Sequence, residues 1–512
     1  MLWIFDATVG SCAVVLLSCV LLRWLGGISS RKQKYAQDGP QLPPGPAGLP
    51  FLGCLETLVK GLDPRKAFAW SCSYGPVIRV KTGLSETVIL NDLDSIRMFL
   101  SHKNMLYRSP SWVQGASVDV GFSAYGGEMW EENRRFSLKL LRELGYGKSG
   151  MQSIIADGCE QLMIRIAEAG GQPLDLFQLV LGSVCNNIGV LLFGRRYPSG
   201  HVKHQELVKS IRDEFMASRR KSMVWLLPSA FIAVARRLPF TTASAVHKTM
   251  KSIEAFVRQQ IQCHTGNSNA GSRCFIEKYL SQNKITCDQD SFAFNSFSHT
   301  GNTIGFLVTG TVTVSALLMR ILLLVAANVE TLQARIQREI DAVVGSERPP
   351  TWDDRYATPF TMAVMWEAQR WHTLLPMGLP RWSCEDVVIG RHFVAKGTTV
   401  IPNIWAVHND PKCWDEPEKF DPRRFLNEDG SFAMDRLKRV LPFSVGKRSC
   451  PGEMLAPQEI YLYLTRTLQK FRIVPQEKSA IDVHVADHVI MEPGRHLFCC
   501  IPREPYSPSP GC

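Results

Sequence analysis

Residues 441–456 read LPFSVGKRSCPGEMLA, a loop containing glycine, arginine and one cysteine that runs into an amphipathic pattern. Beyond Cys450, Met454, Leu455, Ile460, Tyr461, Leu464, Leu468 and Phe471 recur at helical spacing, which puts the cysteine at a helix N-terminus. There the positive end of the macrodipole, with Lys447 and Arg448 beside it, favours thiolate, the form that binds metal. No second cysteine or histidine lies nearby, which argues against tetrahedral zinc. A single thiolate suits a metal whose other ligands come from a cofactor, as in haem. Pro451 lacks an N–H and withholds one backbone donor from the sulfur, so a more electron-rich thiolate is expected. Pro457 falls inside the expected helix 453–471, where a proline removes a backbone bond and kinks the chain.

The loop resembles that of the cytochrome P-450 superfamily, whose pattern F-x-x-G-x-R-x-C-x-G is matched at Phe443, Gly446, Arg448, Cys450 and Gly452. The resemblance implies that Cys450 is the axial ligand of haem b (iron protoporphyrin IX). It also implies that Phe443 shields the sulfur and that Arg448 pairs with a propionate. Three further motifs agree. Glu367-Ala-Gln-Arg370 is the family's E-x-x-R, two residues that share a helix face. FDPRRF (420–425) matches its aromatic–Pro–x–Arg–Phe motif, which implies that Arg424 joins Glu367 and Arg370 in a buried structural trio. MWEENRRF (129–136) looks like the family's W-x-x-x-R, with Trp130 and Arg134 on propionates, and GLPRW (378–382) adds Arg381 to that set. The texture of 359–370 and 442–456 is most similar to the microsomal animal clan that hydroxylates drugs, fatty acids and steroids.

The implied fold is mainly α with small β-sheets, a prism-like cytochrome P-450 domain that holds haem between the cysteine-loop helix and a long central helix. That helix should carry [AG]-G-x-[DE]-T-[TS]. Residues 309–315 read TGTVTVS, which sets Gly310 and Thr313 in register, with Val312 at the acid and Val314 after the threonine. HTGNT (299–303) is a poorer register because it stretches the spacing to Glu367. In the family the acid and the alcohol help bring protons to the reacting oxygen, and a valine supplies none. Thr309, Thr311 or Ser315, with water, are the substitutes at hand.

The implied activity is a membrane-anchored haem-thiolate monooxygenase that inserts one oxygen atom of O2 into an apolar small molecule. Its NADPH electrons would come from the flavoprotein NADPH–cytochrome P-450 reductase, with cytochrome b5 as an additional partner. Val312 keeps two alternatives open: an isomerase or dehydratase acting on an oxygenated substrate without reductase, and a poorly active haem or ligand binder. Arg135, Lys139, Arg142, Lys438, Arg439 and Lys447 form a candidate basic docking face for an acidic flavoprotein.

The rest of the chain is consistent with this reading. Its 512 residues and 45% hydrophobic content leave ample chain for a large core. The net charge of +11 is spread along the sequence without a nucleic-acid module, so no nucleic-acid partner is expected. The 15 cysteines are odd in number, irregularly spaced and free of CxxC, unlike a disulfide framework. Residues 7–22 are uncharged and only Arg23 interrupts the apolar span to 28. Arg31, Lys32 and Lys34 follow the span, which predicts an uncleaved single-pass anchor with a cytosolic body at the endoplasmic reticulum membrane. The organisation expected is an anchor over 1–28, a basic and proline-rich linker over 29–50, a haem domain over 51–505 and a tail over 506–512.

Periodicity places helices around 151–168, 174–194, 203–221, 245–263, 290–326, 328–344, 359–372 and 453–471. Alternation places strands at 77–82, 86–90, 386–390 and 398–405. Residues 264–274 look like a surface loop. Leu106, Trp112, Val113, Val118 and Phe122 are candidate pocket wall. Residues 214–240 suit an access lip that dips into the membrane, where lipid would be a contact.

Overall fold

The computed structural model describes residues 40–49, 52–82, 85–109, 121–124, 126–147, 149–198, 200–220, 233–239, 241–265, 273–285, 296–476, 481, 483–484 and 496–503. The expected anchor, Trp112, Val113, Val118, much of 214–240, most of 264–274 and the tail lie outside them.

The helices are α1 Leu55–Lys60, α2 Pro64–Tyr74, α3 Leu93–Leu100, α4 Gly127–Glu143, α5 Ser149–Glu168, α6 Leu176–Phe193, α7 Val202–Arg220 and α8 Thr242–Thr265. They continue as α9 Phe275–Ile285, α10 Ser296–Ala327, α11 Ala334–Val343, α12 Pro359–His372, α13 Ile404–Asn409 and α14 Ala456–Lys470. The strands are β1 Val77–Thr82, β2 Ser85–Leu90, β3 Arg381–Trp382, β4 Val387–Ile389, β5 His392–Val394, β6 Thr399–Pro402, β7 Phe471–Pro475 and β8 Phe498–Pro502. One sheet has the order β1-β2-β6-β3, and β4-β5 and β7-β8 form two-stranded ribbons. The molecule is thus mainly α with small sheets.

Helix starts follow their local chemistry. The Asp63 carboxylate accepts from the Arg65 and Lys66 N–H groups, with Pro64 in the first turn, and Asp92 caps α3 through Ser95 N. Helices α6 and α10 are apolar enough to cross a membrane by length and composition, yet both are packed into the core. A helix apolar on every side needs such cover. Helix α10 is the axis of the molecule, packed against α6, α8, α12 and α14.

Several expectations need correction. The strand placed over 398–405 ends at Pro402, because the Asn403 side chain accepts from Ala406 N and starts α13. The helix placed at 328–344 opens with a π-turn, Val329–Gln333. The helix placed at 453–471 is a 3-10 turn, Pro451–Met454, followed by α14. Pro457 therefore falls in the first turn of α14, where its missing N–H costs no helical bond, and no kink follows. Arg79 N donates to Pro44 O at 2.8 Å and Phe393 N to Gln41 O at 2.8 Å, so residues 41–44 lie docked on the body. A side chain at Gly45 would drive into the Arg79 carbonyl, which explains the glycine.

Candidate active site

Cys450 stands at the mouth of the Pro451–Met454 turn, and its sulfur accepts from Gly452 N–H at 3.2 Å. Its own N–H donates to Phe443 O at 2.7 Å, closing the loop. Gly446 has φ 77°, and a side chain there would meet Leu100 O, so only glycine fits. Tyr146 donates to Pro451 O at 2.8 Å, and Arg134 Nη2 to Ser449 O at 2.6 Å. Phe443 is half-buried and lies edge-on to Trp366.

The electrostatics differ from the helix-end expectation. Burial pushes the Cys450 thiol up, and Gly452 N–H and the Arg134 guanidinium oppose it. Lys447 instead pairs with Glu131, and Arg448 turns away from the sulfur. Cys450 nonetheless exposes surface.

Beside it the chain gathers arginines. Arg448 donates from Nε to Leu106 O at 2.8 Å and from Nη1 to Phe122 O at 3.2 Å, while its buried Nη2 has no partner among the described residues. Arg381, on β3, has a 3.4 Å bond from Nη2 to Arg448 O, and its buried Nε and Nη1 likewise find no partner among the described residues. Trp130, on α4, is buried with its indole N–H unmatched, and the Arg448 guanidinium sits 4.1 Å over its ring. Burial, then the neighbouring cations, lower Arg448 to about 8, and burial and Arg134 lower Arg381 to about 9. Arg108 joins them, buried and donating to Ser123, Leu379 and Pro380 carbonyls. Orphaned buried donors such as those of Trp130, Arg381 and Arg448 are costly, and so is bringing buried cations together. The arrangement is chemically complete only around an anion with several acceptor oxygens.

Glu367 and Arg370 are wholly buried on α12 and form a two-pronged pair at 2.7 Å. Asp421 N–H donates to Glu367 at 2.9 Å, and burial still pushes this carboxyl up. Arg424 Nε lies 3.4 Å from Glu367 Oε1 and forms a second ion pair with that carboxylate, its side chain 12% exposed. Arg370 also donates to His408 O, and His408 Nε2 accepts from Leu441 N–H at 2.8 Å. This histidine ties the ion pair to the start of the cysteine loop.

On α10, Thr309 is exposed and Phe306, Gly310 and Thr313 are half-buried, the spacing of one helix face. Val312, Thr311 and Ser315 are buried on other faces. Every hydroxyl of the stretch donates four residues back: Thr309 to Gly305 O, Thr311 to Leu307 O, Thr313 to Thr309 O and Ser315 to Thr311 O, all within 2.7–2.8 Å. The helix runs unbroken through Gly310, where a side chain would crowd Ile188 at 3.1 Å. Leu106 and Phe122 pack with Trp130 and Phe306 and so join this face to the arginine cluster.

The sequence reading missed Arg108, His408 and Asn302. Asn302 takes Phe122 N–H at 2.9 Å and exchanges bonds with Asn133 and Ser137, fixing α4 to α10. No motif marks any of the three, because each acts through partners distant in sequence.

Comparison with known proteins agrees with this geometry. The family model described as Cytochrome P450 matches residues 43–500. Cytochrome P450 2J1 of Oryctolagus cuniculus is 32% identical over 469 residues, spanning 90% of this chain and 91% of the relative. Cytochrome P450 2D14 of Bos taurus is 30% identical over 511 residues, covering 97% and 99%. Cytochrome P450 2C8 of Homo sapiens is 30% identical over 503 residues, covering 96% and 98%.

Proposed function

The chain belongs to the cytochrome P450 family and is a cytochrome P450 monooxygenase, and on that footing we propose how its residues do the work. Cys450 supplies the sulfur ligand of haem b, and Trp130, Arg134, Arg381 and Arg448 hold the propionates, with Arg108 behind them. The observation that carries this reading is the set of unmatched buried donors on Trp130, Arg381 and Arg448 beside a reachable Cys450 sulfur. Two carboxylates with several lone pairs satisfy such a set, so the residues fit the cofactor. When bound, haem supplies the iron on which dioxygen is activated with electrons from outside the chain.

The protein's own share is placement and proton handling. Gly452 N–H and Arg134 temper the charge on the sulfur. Thr309 is exposed and Thr313 half-buried on one face of α10, and each hydroxyl proton is already given to a backbone carbonyl. Their oxygens therefore act first as acceptors, holding water whose protons reach the reacting oxygen. Thr311 and Ser315 are turned away and serve packing. Val312 lies in the apolar core, so solvent replaces the absent acid as the proton source.

Electrons arrive from a reductase that docks on Arg135, Lys139, Arg142, Lys438, Arg439 and Lys447, all exposed. Arg135, Lys139 and Arg142 recur along one face of α4. Cytochrome b5 is a second donor for the same face. The substrate is an apolar small molecule drawn from the endoplasmic reticulum membrane, to which residues 1–28 anchor the domain. No observation among the described residues favours the isomerase or binder alternatives.

The test is reconstitution with reductase, NADPH and candidate apolar substrates, with product and hydrogen peroxide both measured. Reductase-dependent product that contains one oxygen atom from labelled O2 is the expected result. Turnover without reductase, or a reduced carbon monoxide spectrum without the thiolate band, would overturn the proposal.

A further inference from the structure

Far along the chain from Cys450, the end of α8 meets the start of α9 beside the end of α6. Three side chains converge there: His264, Cys274 and Glu277, whose ligand atoms all lie within 4.8 Å of one another. His264 sits in the last turn of α8, Cys274 directly precedes α9, and Glu277 occupies its first turn.

The histidine's contacts are unusual. Its Nδ1 lies 2.8 Å from Gln260 O, and its Nε2 lies 3.2 Å from Phe193 O and 3.8 Å from Glu277 Oε1. A neutral imidazole has one N–H to give. With that proton on Nδ1 and donated to Gln260 O, the Nε2 lone pair faces a carbonyl and a carboxylate. Metal-bound histidines carry the same outer bond, from the far ring N–H to a backbone carbonyl. Glu277 is oriented likewise: its Oε2 accepts from Arg273 N–H at 2.8 Å, which leaves Oε1 turned toward His264. The carboxyl-terminal ends of α6 and α8 both reach this point, and each favours positive charge. Cys274 is buried beneath the turn at Gly194, whose left-handed φ of 69° closes α6 over it.

We propose that His264 Nε2, Cys274 Sγ and Glu277 Oε1 form a zinc site, with the Phe193 carbonyl or a water as fourth ligand. One nitrogen, one sulfur and one carboxylate oxygen suit zinc, whereas calcium and magnesium take oxygen ligands. With bonds of about 2.0–2.3 Å, a four-coordinate ion draws the three donors closer by about 1 Å. The thiol proton passes to solvent as the metal binds. The ion then staples α8 to α9 and both to the end of α6, a structural role independent of the haem chemistry. The same contacts arise without metal if His264 is an imidazolium paired with Glu277, and the experiment separates the two.

The full-length holoprotein, produced in zinc-replete medium and dialysed against a weak chelator, is assayed for zinc and iron together. Its zinc-edge X-ray absorption is then recorded. The expected result is one zinc per iron, with one sulfur neighbour at about 2.3 Å and nitrogen or oxygen neighbours at about 2.0–2.2 Å. Cys274→Ser and His264→Gln should each lower zinc content at least tenfold while the reduced carbon monoxide spectrum is unchanged. Absence of zinc in the wild type, zinc without a sulfur neighbour, or full retention in both variants would overturn the site. If either variant fails to fold, the wild-type stoichiometry and spectrum still decide. Because zinc is counted directly, failure here leaves the monooxygenase reading untouched.

Discussion

The cysteine loop and the 309–315 stretch of α10, joined through Leu106, Phe122, Trp130 and Phe306, differ in the side chains they present. The loop side is crowded with specific polar groups: Cys450, Trp130, three motif arginines and Arg108. Among the described residues the helix side offers two back-bonded threonine hydroxyls, and Val312, where the resemblance implies an acid, is an apolar core residue. In the proposed function the first side holds a charged cofactor and the second leaves proton supply to water. The two sides meet different physical demands. Binding requires matched charge in a dry site, and proton delivery requires only a donor within one water's reach.

The comparison breaks first if the loop side proves dispensable. Glu367→Gln leaves the Arg370 guanidinium buried without its counter-charge, at a cost of roughly 3–5 kcal/mol. The expected outcome is little recoverable holoprotein, measured as the haem-to-protein ratio. A normal ratio would show that the pair does not support the loop.

Arg381→Met sharpens the same side, with effects of opposite sign. Arg381 is buried with two nitrogens unmatched among the described residues and a pKa held near 9 by burial and Arg134. Removing it should stabilise apoprotein by about 1–3 kcal/mol while weakening haem retention. Thermal melting of both forms checks this, and a parallel loss in apo and holo melting would contradict it.

Val312→Glu tests the helix side. The sequence alone suggests that restoring an acid improves coupling of electrons to product. Burial changes that expectation, because Val312 is 1% exposed within the largest apolar cluster. A glutamate there should cost about 1–3 kcal/mol, with its carboxyl held protonated. A raised folded-state pKa means that the folded chain binds more protons than the unfolded one. Stability should therefore fall as pH rises above the ordinary carboxylate range. A variant that melts as the wild type does at every pH and releases less peroxide would reverse the assignment of this face.

His408 gives the loop side an acid limit. Burial, then Arg370, lower it to about 3. Its folded pKa is depressed, so the unfolded chain binds the extra proton. Stability should drop as pH falls below about 6.5 toward 3. Melting temperature against pH should show this slope, and His408→Gln should flatten it.

These expectations also mark what was legible in the sequence. Helices α5, α6 and α12 and strand β1 follow from local periodicity, and Cys450, Arg448, Trp130 and the Glu367–Arg370 pair from short motifs. Periodicity puts Pro457 in a helix interior, whereas the 3-10 turn Pro451–Met454 delays the helix start to Ala456, one residue before it. Arg108 and Asn302 carry no local pattern, since partners such as Pro380 and Phe122 lie more than a hundred residues away. Separating the faces of TGTVTVS needed the rotation of α10, which composition does not set.

That rotation yields the smallest and most discriminating prediction. Thr311 and Thr313 are the same residue type two positions apart, and both donate to the carbonyl four residues back. Thr313 is half-buried on the face it shares with Phe306 and Gly310, whereas Thr311 is fully buried. Thr313→Val should raise the peroxide fraction severalfold with melting nearly unchanged, because an acceptor for water is lost at a half-exposed site. Thr311→Val should leave peroxide alone and shift stability by about 1 kcal/mol at most, since the Leu307 carbonyl keeps its helical bond. Equal effects on peroxide would mean that the hydroxyls act as a chain through the helix. The threonine face could then no longer be separated from the core that carries it.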